Sequence, residues 1–113
     1  MIFSSRLIED AVSQFAKLPG IGRKTALRMV LHMMKMPKQD VEAFTQAISK
    51  MSREITFCKK CHNVSDTEVC SICCNNSRKY EQICVVENLR DVIAIESTQQ
   101  YNGLYHVLGG ILS

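Results

Sequence analysis

The chain has 113 residues, 46% of them hydrophobic and 22% charged, which suits a globular protein of one ordinary domain or two to three very small ones. No stretch approaches the roughly 18 apolar residues of a membrane helix, and the N-terminus lacks the pattern of a signal peptide, so we expect a cytosolic protein with no membrane partner. The net charge of +3 is uneven, because residues 1–57 hold nine Lys and Arg against five Asp and Glu. This basic excess suits a polyanion partner.

The first 55 residues carry three segments in which apolar side chains recur with helical spacing. The first spans 4–18, the second begins near Arg23 and ends at Met36, and the third covers about 37–55. Pro19-Gly20 ends the first segment. Because the connections are short, we expect a compact helical domain over residues 1–56.

The connection between the first two helices reads LPGIG. Its glycines can adopt positive φ and allow a close backbone approach, and the turn presents amide N–H groups at the start of the second helix. That arrangement suits a nucleic-acid phosphate and is the helix-hairpin-helix pattern. A plain turn between helices or a subunit contact is the alternative. The predicted DNA-contacting residues are Gly20, Gly22, Arg23, Lys24 and Arg28.

Between positions 58 and 73 the chain carries two C-x2-C pairs separated by eight residues. Two such pairs form the tetrahedral sulfur cage that zinc prefers. The polar loop 62–69 cannot fold unaided, so one structural zinc ion would supply much of the folding energy. Two disulfides or four free thiols are the alternatives, and His62 or Cys74 could substitute as a ligand. The predicted ligands are Cys58, Cys61, Cys70 and Cys73.

The last third of the chain predicts a strand at Gln82–Glu87, a helix at 88–98 and a strand at Tyr105–Leu108. This order implies a parallel crossover. Two parallel strands do not complete a domain, so we expect an unfinished sheet and a truncated chain. Glu87 ends the first strand, where open α/β sheets gather ligands, and it is a candidate Mg²⁺ ligand. We do not expect Mg²⁺ to bind, because the further acidic residues that such a site needs are missing.

The order of these parts resembles the RecR family of bacterial recombination mediators. The motifs that carry the resemblance span essentially the whole chain: LPGIGRKTALRM, FCKKCHNV with CSIC, ICVVEN, RDVIAIE and GLYHVLGG. The resemblance implies an α+β fold with a helix-hairpin-helix domain at 1–56, a four-cysteine zinc finger at 57–80 and the N-terminal part of a Toprim domain at 81–113. It places Glu87 at the Toprim glutamate.

The resemblance also implies a function in recombinational DNA repair. RecR-like proteins act in the bacterial cytoplasm, at the nucleoid, with RecO-like and RecF-like proteins, and help to load RecA onto single-stranded DNA coated by single-strand-binding protein. They are not known as enzymes, and they assemble into tetrameric rings. Because this chain lacks most of the C-terminal ring contact, we expect a dimer through its N-terminal helices. A Mg²⁺-dependent Toprim nuclease or topoisomerase and a protein-binding zinc-ribbon adaptor are the alternatives.

Overall fold

The computed structural model describes residues 2–109, which form two compact units, the first ending at Ile48 and the second beginning at Ser49. The fold class is α+β, as predicted. The division into 1–56, 57–80 and 81–113 stays a prediction, and the last four residues of its third part lie outside the described residues. In chain order the elements are α1 (Arg6–Ala16), α2 (Arg23–Lys35), α3 (Lys38–Glu54), β1 (Thr56–Phe57), β2 (Val64–Ser65), β3 (Lys79–Val86), α4 (Leu89–Ser97) and β4 (Gly103–Val107).

Helices α1 and α2 form the core of the first unit. Ser5 caps α1, and its Oγ accepts a hydrogen bond from the Ile8 N–H at 3.3 Å. Val12 of α1 packs with Ala26 and Val30 of α2, and all three side chains are buried. Ala26 and Val30 are four residues apart, so they lie on one face of α2. The first two predicted helices are therefore confirmed to within two residues at each end.

Helix α3 forms where it was predicted but does not bury its apolar stripe. None of its 17 residues is buried. Phe44 and Ile48 remain 47% and 51% exposed, and Phe44 borders an open apolar cavity of about 690 Å³ that Leu7 and Met34 also line. Helix α3 belongs to the first compact unit as far as Ile48, but that unit does not bury its apolar face.

Strands β3 and β4 run parallel and are joined by α4, which confirms the predicted crossover. Asn88 caps α4 by accepting a hydrogen bond from the Arg90 N–H at 2.9 Å. One face of the sheet packs against α4, while Ile83 and Val85 on the other face stay 62% and 59% exposed. The buried core on the α4 side comprises Val86, Val92, Tyr105 and Val107. Within residues 2–109, no helix combines the length and the apolar character that crossing a bilayer requires.

A partly buried ion pair joins Arg78, the residue before β3, to α4. The Arg78 guanidinium donates to both carboxylate oxygens of Glu96 and to the Gly103 carbonyl oxygen, the last at 3.2 Å. The Tyr105 hydroxyl donates to the Glu96 carboxylate at 2.5 Å. The hydrogen bonds from Arg78 and Tyr105 lower the pKa of Glu96, and they outweigh the opposing effect of its burial. The Arg78 and Glu96 side chains are only 11% and 28% exposed, so this pair holds β4 against α4.

Replacing Glu96 with Gln is expected to reduce the free energy of unfolding by about 1–2 kcal/mol at pH 7, since it leaves the partly buried Arg78 without its charged partner. A carboxyl whose folded pKa is depressed stabilises the fold above its unfolded pKa of about 4.3, and this stabilisation is lost as the pH falls through the folded pKa. The difference between wild type and variant should therefore shrink in acid. Urea unfolding at several pH values measures it, and Glu81→Gln, at an exposed position, is the control.

Candidate metal centre and nucleic-acid interface

Two short turns carry the four cysteines. Strand β1 precedes the first turn and β2 follows it, and the two pair antiparallel with Phe57 opposite Val64. In each turn the residue after the C-x2-C pair donates its N–H back to the carbonyl of the first cysteine. His62 donates to Cys58 at 2.9 Å, with a positive φ of 68°, and Cys74 donates to Cys70 at 3.0 Å. These repeated turns aim each pair of sulfurs inward.

The four sulfur atoms meet at one buried point. The Sγ atoms of Cys58, Cys61, Cys70 and Cys73 lie within 4.8 Å of one another, and all four residues are at most 5% exposed. The 3.6 Å between the Cys61 and Cys70 sulfurs matches the edge of a zinc–sulfur tetrahedron, about 3.8 Å, and is far longer than a disulfide bond. None of the four forms a disulfide, and their mutual clustering favours a metal cage over the two-disulfide alternative.

Backbone amides support a thiolate at this point. The N–H groups of Lys60, Cys61 and Cys70 donate to the Cys58 sulfur at 3.4, 3.5 and 3.3 Å. Burial acts to raise the pKa of Cys58, but these donors outweigh it and lower that pKa to about 6. Burial raises the pKa of Cys61 to about 11. Bound zinc would favour the thiolate form of all four cysteines, because it binds thiolates and neutralises their charge.

The two substitute ligands considered from the sequence lie outside the sulfur cluster. Cys74 is exposed, and its sulfur is 3.7 Å from the Val69 carbonyl oxygen. His62 is exposed, and its ring meets the His106 ring edge to face at 5.5 Å between centroids. Neither residue is therefore placed to act as a ligand, and the four clustered cysteines supply the full set that zinc needs.

The first cysteine turn is also linked to β4, because the Val107 N–H donates to the Cys61 carbonyl oxygen at 2.8 Å.

The hairpin between α1 and α2 leaves the backbone around its two glycines accessible from outside the chain. Gly20 has a φ of 79°, which explains the glycine there. Gly22 has an ordinary φ of −82° and caps α2 without a side chain. A Cβ added at Gly20 or Gly22 would meet no atom within 4 Å. Packing within the chain therefore does not require glycine at position 22. A phosphate that approaches the first amides of α2 would require it, because a side chain at this position would stand in its way.

The predicted cationic residues are not all gathered at this hairpin. Arg23 and Lys24 are exposed in the first turn of α2, directly after Gly22. Arg28 lies more than one turn further along α2, where it lines a cavity of about 560 Å³ with Met29 and other apolar side chains. The structure thus brings Arg23 and Lys24 to the open amides and places Arg28 apart from them.

Glu87 follows β3 as predicted and is exposed. Its N–H donates to the Asp91 carboxylate at 3.0 Å, and its carbonyl accepts from the Gly109 N–H at 2.8 Å. Within residues 2–109, the four cysteines are the only group of three or more side chains placed to hold a metal ion. Glu87 therefore has no cluster of acidic ligands in the part of the chain that the structure describes.

Three family models match successive parts of the chain. They are the RecR helix-hairpin-helix over residues 8–52, the RecR four-cysteine zinc finger domain over 55–75 and the Toprim domain over 81–113. Curated proteins named Recombination protein RecR match nearly the whole chain. The protein from Bacteroides thetaiotaomicron is 58% identical over 98% of this chain, and that from Flavobacterium johnsoniae is 57% identical over all of it. The chain belongs to the RecR family. It spans 54% and 55% of the lengths of these two relatives.

Membership of the RecR family agrees with the geometry of the metal centre. The RecR zinc-finger model covers both C-x2-C pairs, and the four buried thiols fit a zinc ion, so the chain carries a structural zinc site. The Toprim model covers Glu87 and the part of the chain that contains α4 and β4. Which residues of the RecR hairpin touch DNA stays a prediction.

Sequence reasoning missed two structural supports. The β1–β2 pair spans only two residues on each strand, too few for an alternating pattern to be visible. The Arg78–Glu96 pair joins residues 18 positions apart, and no local signal in the sequence marks it.

Proposed function

We propose that this chain is a DNA-binding mediator of recombinational repair that acts on single-stranded DNA in the bacterial cytoplasm, at the nucleoid. The observation that supports this function best is the open hairpin. There, Gly22 precedes Arg23 and Lys24 within the segment that matches the RecR helix-hairpin-helix. Unpaired amides and the positive end of α2 attract an anion, and the two cations add charge at the same helix start. The matched relatives are named as recombination proteins.

The proposed binding mode does not depend on base sequence. Backbone amides, Arg23 and Lys24 would contact phosphate oxygens, which are the same at every nucleotide. Such binding suits a mediator that acts wherever single-stranded DNA is exposed. Family membership supports the finer steps of the proposal: the chain acts with RecO-like and RecF-like proteins to help load RecA onto DNA coated by single-strand-binding protein.

The combined charge reversal of Arg23→Glu and Lys24→Glu tests this function. We expect affinity for a labelled single-stranded oligonucleotide to fall at least about tenfold, because two charge-assisted contacts become repulsive. The slope of log affinity against log salt should flatten by about 1.4, or two phosphate contacts on a single strand. Fluorescence anisotropy at several salt concentrations and with several sequences measures both quantities.

Lys35→Glu with Lys38→Glu is the matched control, because it makes the same change in charge at exposed positions away from the hairpin. A similar loss in both double variants would mean that net charge, not the hairpin, governs binding. Wild-type protein that shows no salt-dependent DNA binding would favour the zinc-ribbon adaptor that contacts only protein.

We further propose that the chain is not an enzyme. Glu87 stands without a surrounding group of acids in the described residues, and a Toprim nuclease needs several carboxylates to hold Mg²⁺. Incubation with supercoiled plasmid and Mg²⁺ should therefore leave the plasmid intact. Nicking or relaxation that disappears in Glu87→Gln would overturn the mediator proposal in favour of a Toprim enzyme.

We also infer that the chain forms a dimer through its N-terminal helices. The support is the exposed apolar surface around Phe44 and Ile48 of α3, together with Leu7 and Met34, which are 83% and 62% exposed. Apolar side chains gathered in this way on one unit usually mark a protein interface. Zinc belongs to each chain separately in this arrangement, because all four ligands come from one chain.

A further inference from the structure

We propose that Phe3 is a positioning residue that holds the Arg23 guanidinium ready for a phosphate; this inference rests on the function proposed for the hairpin. The guanidinium carbon of Arg23 lies over the Phe3 ring, 5.8 Å from the ring centroid. A cation within about 6 Å of an aromatic face is attracted by the ring. Phe3 lies outside the hairpin motif, and no spacing in the sequence connects it to Arg23.

The Phe3 ring is itself held in place by the core of the first unit. It is partly buried and packs against the cluster formed by Val12, Ala26 and Val30. Ala26 is three residues after Arg23 on α2, so the same helix turn that carries Arg23 also borders this cluster. The Phe3 ring is therefore held at a fixed position beside α2. A ring held in this way can restrict the long, flexible side chain of Arg23.

The hydrogen-bond donors of Arg23 remain available. Within residues 2–109, Arg23 makes no salt bridge and no side-chain hydrogen bond. An aromatic ring attracts the guanidinium through its charge and its flat face, whereas a phosphate accepts from the N–H groups at its edge. The two interactions can therefore coexist, and Phe3 can restrict Arg23 without consuming the donors that DNA needs.

The other cationic residues of the hairpin lack this support. In the described part of the chain, neither Lys24 nor Arg28 lies over an aromatic ring, and Arg28 is in the wall of the apolar cavity. Arg23 is thus the cation that loses least conformational freedom when a phosphate binds. We infer that it makes the best-oriented contact, while Lys24 contributes mainly charge.

A double-mutant cycle on the whole chain tests this role, with a labelled oligo-dT as the probe. Phe3→Leu removes the ring but keeps an apolar side chain, and we expect it to weaken binding about two- to fivefold, the range for an exposed cation–π contact. Its salt slope should stay that of wild type, because no phosphate contact is lost. Phe3→Tyr, which keeps the ring, should bind like wild type. In an Arg23→Ala background, Phe3→Leu should have no further effect, whereas in Lys24→Ala its effect should persist.

Melting curves show whether Phe3→Leu remains folded, and Phe3→Met, which also removes the ring but keeps an apolar side chain, takes its place in the cycle if it does not. An equal loss from Phe3→Leu in the presence and absence of Arg23 would overturn this inference while leaving the hairpin function intact. Tyrosine binding as weakly as leucine would do the same. If Arg23→Ala does not weaken binding at all, the proposed hairpin function fails first.

Discussion

Replacing Cys61 with Ser is expected to abolish stoichiometric zinc binding and to unfold residues 56–80 while leaving α1 and α2 folded. The core of this segment consists of the four cysteines, with only Val69 and Ile72 packed against them. Metal binding in zinc-finger peptides supplies about 10–16 kcal/mol at neutral pH, so losing one ligand removes most of what holds the segment together. Because Ile72 also packs against the sheet core and Cys61 accepts from Val107, we expect β4 to loosen as well.

Elemental analysis of protein purified without chelator measures zinc per chain, and amide NMR locates the unfolded residues. Cys74→Ser is the matched control, because Cys74 adjoins a ligand but is exposed and outside the sulfur cluster. We expect this variant to keep one zinc ion and the wild-type spectrum. The zinc assignment would be refuted by wild-type protein without zinc, or by Cys61→Ser that retains one ion per chain and its fold.

Placing Glu at both Phe44 and Ile48 is expected to convert a dimer into a monomer without unfolding the chain. Both side chains are about half exposed in the single chain, so a carboxylate there costs little in folding. In an interface, each of these half-exposed side chains would contribute about 0.8–1.5 kcal/mol on burial of its remaining surface, and in a twofold dimer each residue contributes from both chains. Light scattering at several concentrations gives the mass, and circular dichroism checks the helices.

Gln39→Glu with Gln46→Glu is the matched control, since it adds the same charge to exposed positions turned away from Phe44 on α3. This control should remain dimeric. A wild-type chain that is strictly monomeric at high concentration, or a stable tetramer, would contradict the proposed dimer. A dimer that survives both charges would place the interface on another surface.

Local patterns in the sequence determined most of the secondary structure and the metal centre. The C-x2-C spacing identified all four cysteines of the cluster, because a tight turn brings positions i and i+3 together wherever it occurs. Helical periodicity identified α1 and α2, and the β-branched run before Glu87 identified β3, although the strand begins three residues before the predicted start. Gly20 and Gly22 marked the hairpin, since local backbone geometry alone requires the positive φ at Gly20.

Only the tertiary structure decided which apolar and polar residues meet across the chain. The stripe on α3 has the same period as the stripes on α1 and α2, yet it stays exposed, because periodicity shows which face is apolar and not whether another surface covers it. The Arg78–Glu96 pair and the support of Arg23 by Phe3 join residues 18 and 20 positions apart. Such contacts depend on how separate elements pack in space, and no local spacing in the sequence encodes them.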